Sequence, residues 1–407
     1  MANVVVVGGG PAGIMAAIIS AHHGNSVTLI EKNPALGNKL LLTGKGRCNL
    51  TNTCELDDFL LRFSGNGAFL RDAFKVFFNK ELISFFEQRG IRMKVERQER
   101  VFPVTDSSQS ILEILRKELS TYNVGIRYNT RLLNIEADDS KIKALLFPGG
   151  ERLSADKVIL ALGGASYSST GSSGDGYRIV KKLGHTIKSI RPGLVPLKVR
   201  ERYISKLEGL SLKNIQLKFH SNKKGIKSDI GELMFTGFGI SGPLVLTLSG
   251  KVLDLLERSK ELFVDIDLKP ARSIEKLDAR MQREIKSAPK KTIANIFKNM
   301  LPQRLIDVFL LVAEIDPNLK GAQITGKQRN CMARLFKGFR FEITGSPGID
   351  RAMVTRGGIS LKEIDPRTMR SKLITGLYCC GEMLDIDADT GGFNLQAAFS
   401  TGYIAGS

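Results

Sequence analysis

Cysteine is scarce in this chain: Cys48, Cys54, Cys331, Cys379 and Cys380 are the five in 407 residues. An odd, small number argues against a disulfide framework and for a reducing compartment, so the cytoplasm is the expected location. Apolar runs of membrane-spanning length, roughly 18 residues, are missing, and no basic segment precedes an apolar stretch near Met1. An anchored or exported chain is therefore not expected. Internal repeats and low-complexity tracts are also missing. So are a P-loop, a pair of zinc ligands and a nucleophile-elbow serine, which leaves no support for a hydrolase.

What is present reads as a folded protein. Hydrophobic residues make up 42% and charged residues 25%, near the soluble globular average, and the length suits two or three domains. The first 31 residues form one pattern: an apolar run Val4 to Val7, a glycine turn, an Ala/Ile-rich helix to about His23, and a second apolar run Val27 to Ile30. Short, fully apolar strands around a helix predict a parallel sheet covered on both faces. Helical patterns follow at about 67–89 and 107–120. Strand patterns follow at 124–128, 131–137 and 142–147, and Val158 to Leu162 returns to the sheet. Past about 190 the texture changes to short alternating segments, then to long charged helical patterns over 273–312; near 346 the glycine-rich apolar texture resumes. The expected organisation is a first domain over 1–190 and 346–407, interrupted by an insert over 191–345.

Charge is uneven along the chain. The insert holds 29 basic and 16 acidic residues, a net +13 within the overall +19. Such an excess suits either a polyanion partner or a solvated lysine-rich surface.

Gly8-x-Gly10-x-x-Gly13 follows a strand and opens a helix, and Glu31 ends the next strand. Glycines let a pyrophosphate approach the helix N-terminus, and a carboxylate at the second strand accepts hydrogen bonds from ribose hydroxyls. The complete pattern is a far stronger sign of a dinucleotide than glycines alone, although FAD and NAD share it. Farther on, Gly376-Leu-Tyr-Cys-Cys-Gly381-Glu382 reads as a strand ending in glycine, and Asp385 to Gln396 leads into a helix of small residues. That helix N-terminus is expected to favour negative charge on a reduced flavin. Asp385, Asp387 and Asp389 lack a complete calcium-loop pattern, so no metal is expected.

Together with Lys39-x-x-x-Thr43-Gly-Lys-Gly46-Arg47-Cys48-Asn49-Leu-Thr51-Asn52, Gly174-Asp175-Gly176-Tyr177, Ser241-Gly242-Pro243 and the Gly381 to Gln396 stretch, these residues resemble the YhiN/BaiN-like FAD-dependent oxidoreductases over nearly the whole chain. The resemblance implies an α/β fold: a Rossmann-like FAD-binding domain with an inserted β-barrel (about 191–260 and 335–345) and helical subdomain (about 261–334). No second nucleotide domain for NAD(P)H is implied. Its members are linked to aminoacetone oxidation, reduction of conjugated bile-acid intermediates and reduction of a uridine in large-subunit ribosomal RNA. This chain departs from the pattern at Phe235-Thr236-Gly237, where many relatives have Phe-Thr-His, and at Ala397, which replaces a tryptophan.

The candidate cofactor residues are Gly8, Gly10, Pro11, Ala12, Gly13, Glu31, Lys32, Lys39, Thr43, Gly44, Arg47, Gly163, Gly381, Glu382, Asp385, Gly391, Gly392, Asn394 and Leu395. The resemblance places Cys48 near the flavin as a candidate proton donor, with Arg47 expected to favour its thiolate; packing under the ring is the alternative. Cys379-Cys380 is expected to pack in the core, since adjacent strand residues point to opposite faces. Lys223, Lys224, Lys290, Lys291, Arg329, Arg334 and Lys337 are candidate RNA contacts, with Phe339 and Phe341 expected to be buried. His185 and His220 are expected to be structural or exposed. The favoured activity is hydride transfer from NAD(P)H through FAD to a uridine of 23S ribosomal RNA. The alternatives are a small-molecule oxidase or reductase and a flavin-bearing RNA-binding assembly factor.

Overall fold

The computed structural model describes residues 1–221 and 225–407, so the candidate contacts Lys223 and Lys224 lie outside the described residues. The chain forms two compact units, Met1–Gly193 with Ile349–Ser407, and Leu194–Gly348. Each has its own apolar core.

The first unit is built on a five-stranded parallel sheet in the order Leu377–Cys379, Lys157–Leu160, Asn3–Val7, Ser26–Ile30, Gly125–Arg127. Val4, Val5 and Val6 are wholly buried, as a central strand covered on both faces requires. The helix Pro11–His22 is buried from Ala12 to Ser20 and packs on the C-terminal helix Phe393–Gly406. Contact is backbone to backbone: a Cβ on Gly402 would lie 2.2 Å from the Ala12 carbonyl oxygen.

Two expected elements differ. The helical pattern over 67–89 breaks at Phe77-Phe78 into Arg71–Val76 and Asn79–Glu87, where the Glu81 carboxylate accepts the Phe78 N–H at 3.0 Å and starts a new helix. The strand pattern over 131–137 starts as strand only at Asn134, in Asn134–Asp138, and Thr130 to Leu132 line the cleft described below.

The second unit holds a closed antiparallel barrel of Leu197–Val199, Gly239–Ser241, Gly225–Thr236, Ser211–His220, Phe263–Asp267 and Phe339–Gly345. Leu217, Phe219, Val264, Ile266, Phe339 and Phe341 fill it and are 0% exposed, while the residues between them face outward. Phe263–Asp267 is a barrel strand although the helical part was expected to begin near 261: its apolar residues alternate with period two. Conversely, Pro243–Glu257 is a helix inside the stretch expected to be barrel, with Val245, Ser249, Val252 and Leu255 buried at helical spacing. The helices Ile274–Ser287, Gln303–Val312 and Gly326–Lys337 follow. The last begins at a reciprocal cap: Thr325 Oγ1 accepts the Gln328 N–H (3.2 Å) and Gln328 Oε1 accepts the Thr325 N–H (3.0 Å).

Candidate functional site

One cleft in the first unit collects most of the candidate cofactor residues. Gly8, Gly10, Pro11, Ala12, Glu31, Lys32, Lys39, Thr43, Gly163, Gly381, Glu382, Asn394 and Leu395 line it; Gly13, Gly44, Arg47, Cys48, Asp385, Gly391 and Gly392 do not. The cleft holds about 1380 Å³ of free space including its open mouth.

Gly10 and Gly13 serve different purposes. Gly10 caps the first helix, and a Cβ there would meet nothing within 4 Å. The helix has Pro11 at its start and no acidic residue in its first turn, so its leading N–H groups present partial positive charge to open space, as pyrophosphate binding requires. A Cβ on Gly13, by contrast, would lie 1.8 Å from the Gly8 carbonyl oxygen. Gly13 is needed for close packing of helix on strand and is not among the residues that line the cleft.

The Glu31 carboxylate is fixed by backbone. Its Oε2 accepts the Gly9 N–H at 2.7 Å and its Oε1 the Asn33 N–H at 2.8 Å, which leaves lone pairs on both oxygens for ribose hydroxyls. At one side of the cleft, Asp175 accepts hydrogen bonds from Arg131 (2.7 Å), Ser173 (2.8 Å) and Lys32 (3.2 Å). Burial alone would raise its carboxyl, but these partners hold it down at about 2. Elsewhere on the wall, Glu382 accepts from Lys39 Nζ (2.7 Å), Ser166 Oγ (3.0 Å) and the Thr355 N–H (2.8 Å). Arg131, Ser166 and Thr355 escaped the sequence reading. Thr355-Arg-Gly-Gly358, in which the short strand Val354–Arg356 runs into two glycines, was the available signal for the last of them.

The segment Cys48 to Asn52 and the start of the C-terminal helix lock each other. The Asn49 amide oxygen accepts the Gly392 N–H (3.1 Å) while its nitrogen donates to the Thr51 carbonyl (3.2 Å). Asn52 Nδ2 donates to the Gly391 carbonyl (3.3 Å), and Thr51 Oγ1 donates to Gln396 Oε1 (2.6 Å). A Cβ on Gly392 would lie 2.4 Å from the Thr51 carbonyl oxygen. The two most specific sequence segments are thus halves of one contact. The N–H of the cap residue Gly392 is occupied by Asn49, and the helix meets the cleft through Asn394, Leu395, Ala397 and Ala398.

Cys48 is fully buried behind this contact, and burial pushes its thiol up to about 12. Arg47 does not favour the thiolate as expected. Its guanidinium is held by Glu96 (2.8 and 3.2 Å) and Asp106 (3.2 Å), over the Phe102 ring. Cys379 and Cys380 are free and buried. Asp385 lies off the cleft, half-buried, with its carboxyl raised by burial. His185 is buried between Glu363 (3.1 Å) and Ser371 (2.9 Å).

In the second unit Lys290, Lys291 and Arg334 are exposed. Two other candidate RNA contacts are committed internally. Arg329 Nε pairs with Asp278 at 2.7 Å, and Lys337 Nζ pairs with Asp267 at 2.5 Å while donating to the Arg272 carbonyl at 2.8 Å. Arg329 thus ties one helix to another, and Lys337 ties a helix to the barrel strand Phe263–Asp267. Among the described residues no helix is long and apolar enough to cross a membrane.

Residues 2–407 match the HI0933-like protein Rossmann domain family. The 3-dehydro-bile acid delta(4,6)-reductase of Clostridium scindens is 33% identical over 410 residues, covering 100% of this chain and 98% of that protein. The ribosomal RNA dihydrouridine synthase of Haemophilus influenzae is 28% identical over 403 residues, covering 98% and 96%. The 3-ketosteroid delta1-dehydrogenase from Sterolibacterium denitrificans shares the fold at a TM-score of 0.54, with 13% identity, covering 100% of this chain and 98% of its own. With a parallel sheet, a glycine turn and a carboxylate arranged for a dinucleotide, and with family and relatives matching from end to end, the chain belongs to the HI0933-like Rossmann-domain family and is an FAD-dependent oxidoreductase.

Proposed function

We propose that this enzyme reduces a carbon–carbon double bond conjugated to a carbonyl, and that its substrate is a uridine of large-subunit ribosomal RNA. The names of the two relatives share that chemistry: a 3-oxo-diene in one and the pyrimidine ring in the other. The net +13 of the inserted region carries the choice of RNA, since a phosphate-rich partner is what such an excess attracts.

FAD supplies the hydride chemistry when bound, and NAD(P)H is the proposed reductant. The chain's own residues bind and orient. Gly10 and the first-helix N-terminus receive the pyrophosphate, Glu31 holds ribose, and the Lys39–Glu382 pair fixes the far wall. For Cys48 we propose a packing role, because its thiol is walled off from the cleft.

Nucleoside analysis of ribosomal RNA from cells with and without the gene tests this reading: loss of dihydrouridine from the large subunit supports it, and an unchanged content overturns it. The 33% identity to a bile-acid reductase favours a second reading, a steroid-like enone as substrate. NAD(P)H-dependent turnover of a 3-oxo-4-ene steroid, with dihydrouridine unchanged, would select it.

A further inference from the structure

On one wall of the barrel Asp265 and Glu342 are already ion-paired, while two lysines there face each other with no ion-pair partner among the described residues. Strand pairing sets Lys218 opposite Lys227 on one side and opposite Asp265 on the other, and Asp265 opposite Arg340. The intervening residues Leu217, Phe219, Val264 and Phe341 are buried inside the barrel, so this row points outward. Asp265 accepts two hydrogen bonds from Arg340 (2.7 and 3.1 Å) and bonds His220 at 2.9 Å. Glu342, also on this wall, is held by Arg200 at 2.7 Å. Lys218 and Lys227 are exposed and have no ion-pair partner among the described residues. Like charges directly opposite on one sheet face are destabilising, and an anion lying between them removes that cost.

The next row adds rings. His220 pairs with Phe263, their centroids 6.1 Å apart, and Arg340 lies 5.5 Å over the Phe263 ring. Both rings are partly exposed. Opposite His220 on its other side is Gly225, which brings no side chain of its own to that face. Asp229 and Glu232 lie farther along the same strand and bound the basic face. Cations beside half-exposed aromatic rings are what a single strand of nucleic acid uses: phosphates on the first, bases on the second.

We propose that this outer wall of the barrel binds single-stranded RNA, with phosphates at Lys218 and Lys227 and a base against Phe263 and His220. The proposal rests on the RNA reading above and names the surface that would serve it.

The test uses the full-length FAD-loaded protein and a fluorescein-labelled, uridine-rich RNA 12-mer, titrated at several salt concentrations. Lys218→Ala/Lys227→Ala should lower the slope of log affinity against log salt by about 1.4, from two contacts at ~0.7 each on a single strand. Phe263→Ala should weaken binding about tenfold with little change in slope, the mark of lost stacking. Lys276→Ala/Lys286→Ala removes the same charge from an exposed helix face elsewhere in the unit and should leave the slope nearly unchanged. Flavin absorbance and melting temperature report that each variant folds. If the helix pair lowers the slope and the barrel pair does not, this surface is wrong while the RNA reading stands. If the unaltered protein does not bind the RNA at low salt, both fall.

Discussion

The cleft of the first unit and the outer wall of the barrel handle charge in opposite ways. In the cleft, Lys39 is matched to Glu382, Lys32 and Arg131 to Asp175, and Glu31 to two backbone N–H groups. On the wall, Lys218 and Lys227 oppose each other across two strands. Paired, partly buried charges fix the shape of a site and are little screened by salt, whereas unpaired exposed charges act at longer range and fade as salt rises. The first arrangement suits a cofactor held in one pose; the second suits a flexible polyanion.

The sharpest way to break this comparison is at the two motif glycines. Gly13→Val should abolish soluble folded protein, because its Cβ would lie 1.8 Å from a carbonyl oxygen in the packed core. Gly10→Val should fold, with an unchanged circular dichroism melt, yet lose FAD at least ~100-fold by blocking the pyrophosphate space. Equal behaviour of the two variants would refute the separate roles assigned to them.

Acid should act on the first unit through Asp175. Its folded carboxyl lies near 2 against 3.8 for the free group, so its contribution is complete above about pH 4 and disappears as pH falls toward 2. The linkage is worth on the order of 2 kcal/mol. Asp175→Asn should flatten the fall in urea midpoint across that window; a fall as steep as in the parent chain would show that other carboxylates govern it. Glu31→Ala should weaken FAD by about 1–3 kcal/mol, measured by equilibrium dialysis, since the ribose loses a charged acceptor. A retained affinity would remove Glu31 from the site.

Smaller effects are expected at Cys48 and Arg329. Cys48→Ala should lower stability by about 1 kcal/mol, the scale of a small lost buried group, and leave both half-reactions with equal rates relative to the parent. A selective loss in substrate reduction of about a hundredfold would restore Cys48 as a proton donor. Arg329→Ala should leave the salt slope of RNA binding unchanged, because Asp278 already neutralises that guanidinium. A lowered slope would mean that the ion pair opens to phosphate.

The outset of the fold was legible because its signals are local. Val4 to Val7, the glycine turn and Glu31 lie within one strand–helix–strand unit, and backbone geometry alone ties glycine to close approach there. The end of the chain was legible as a motif but not as a contact. Nothing in the spacing of Asn49 and Gly392, more than 340 positions apart, reveals that one caps the other; that requires the sheet to bring both ends of the chain together. Charge was the least legible property. Composition counted Arg329 and Lys337 with every other cation, and Asp278 and Asp267 are found beside them only once helices pack and the barrel closes.

The sequence by itself therefore determined a dinucleotide site and the parallel sheet, since both follow from residues close along the chain. Only the tertiary structure decided which glycine borders the cleft, that Cys48 is buried, and which lysines have no ion-pair partner among the described residues. Those depend on non-local packing, in which a side chain's neighbours come from distant strands and helices.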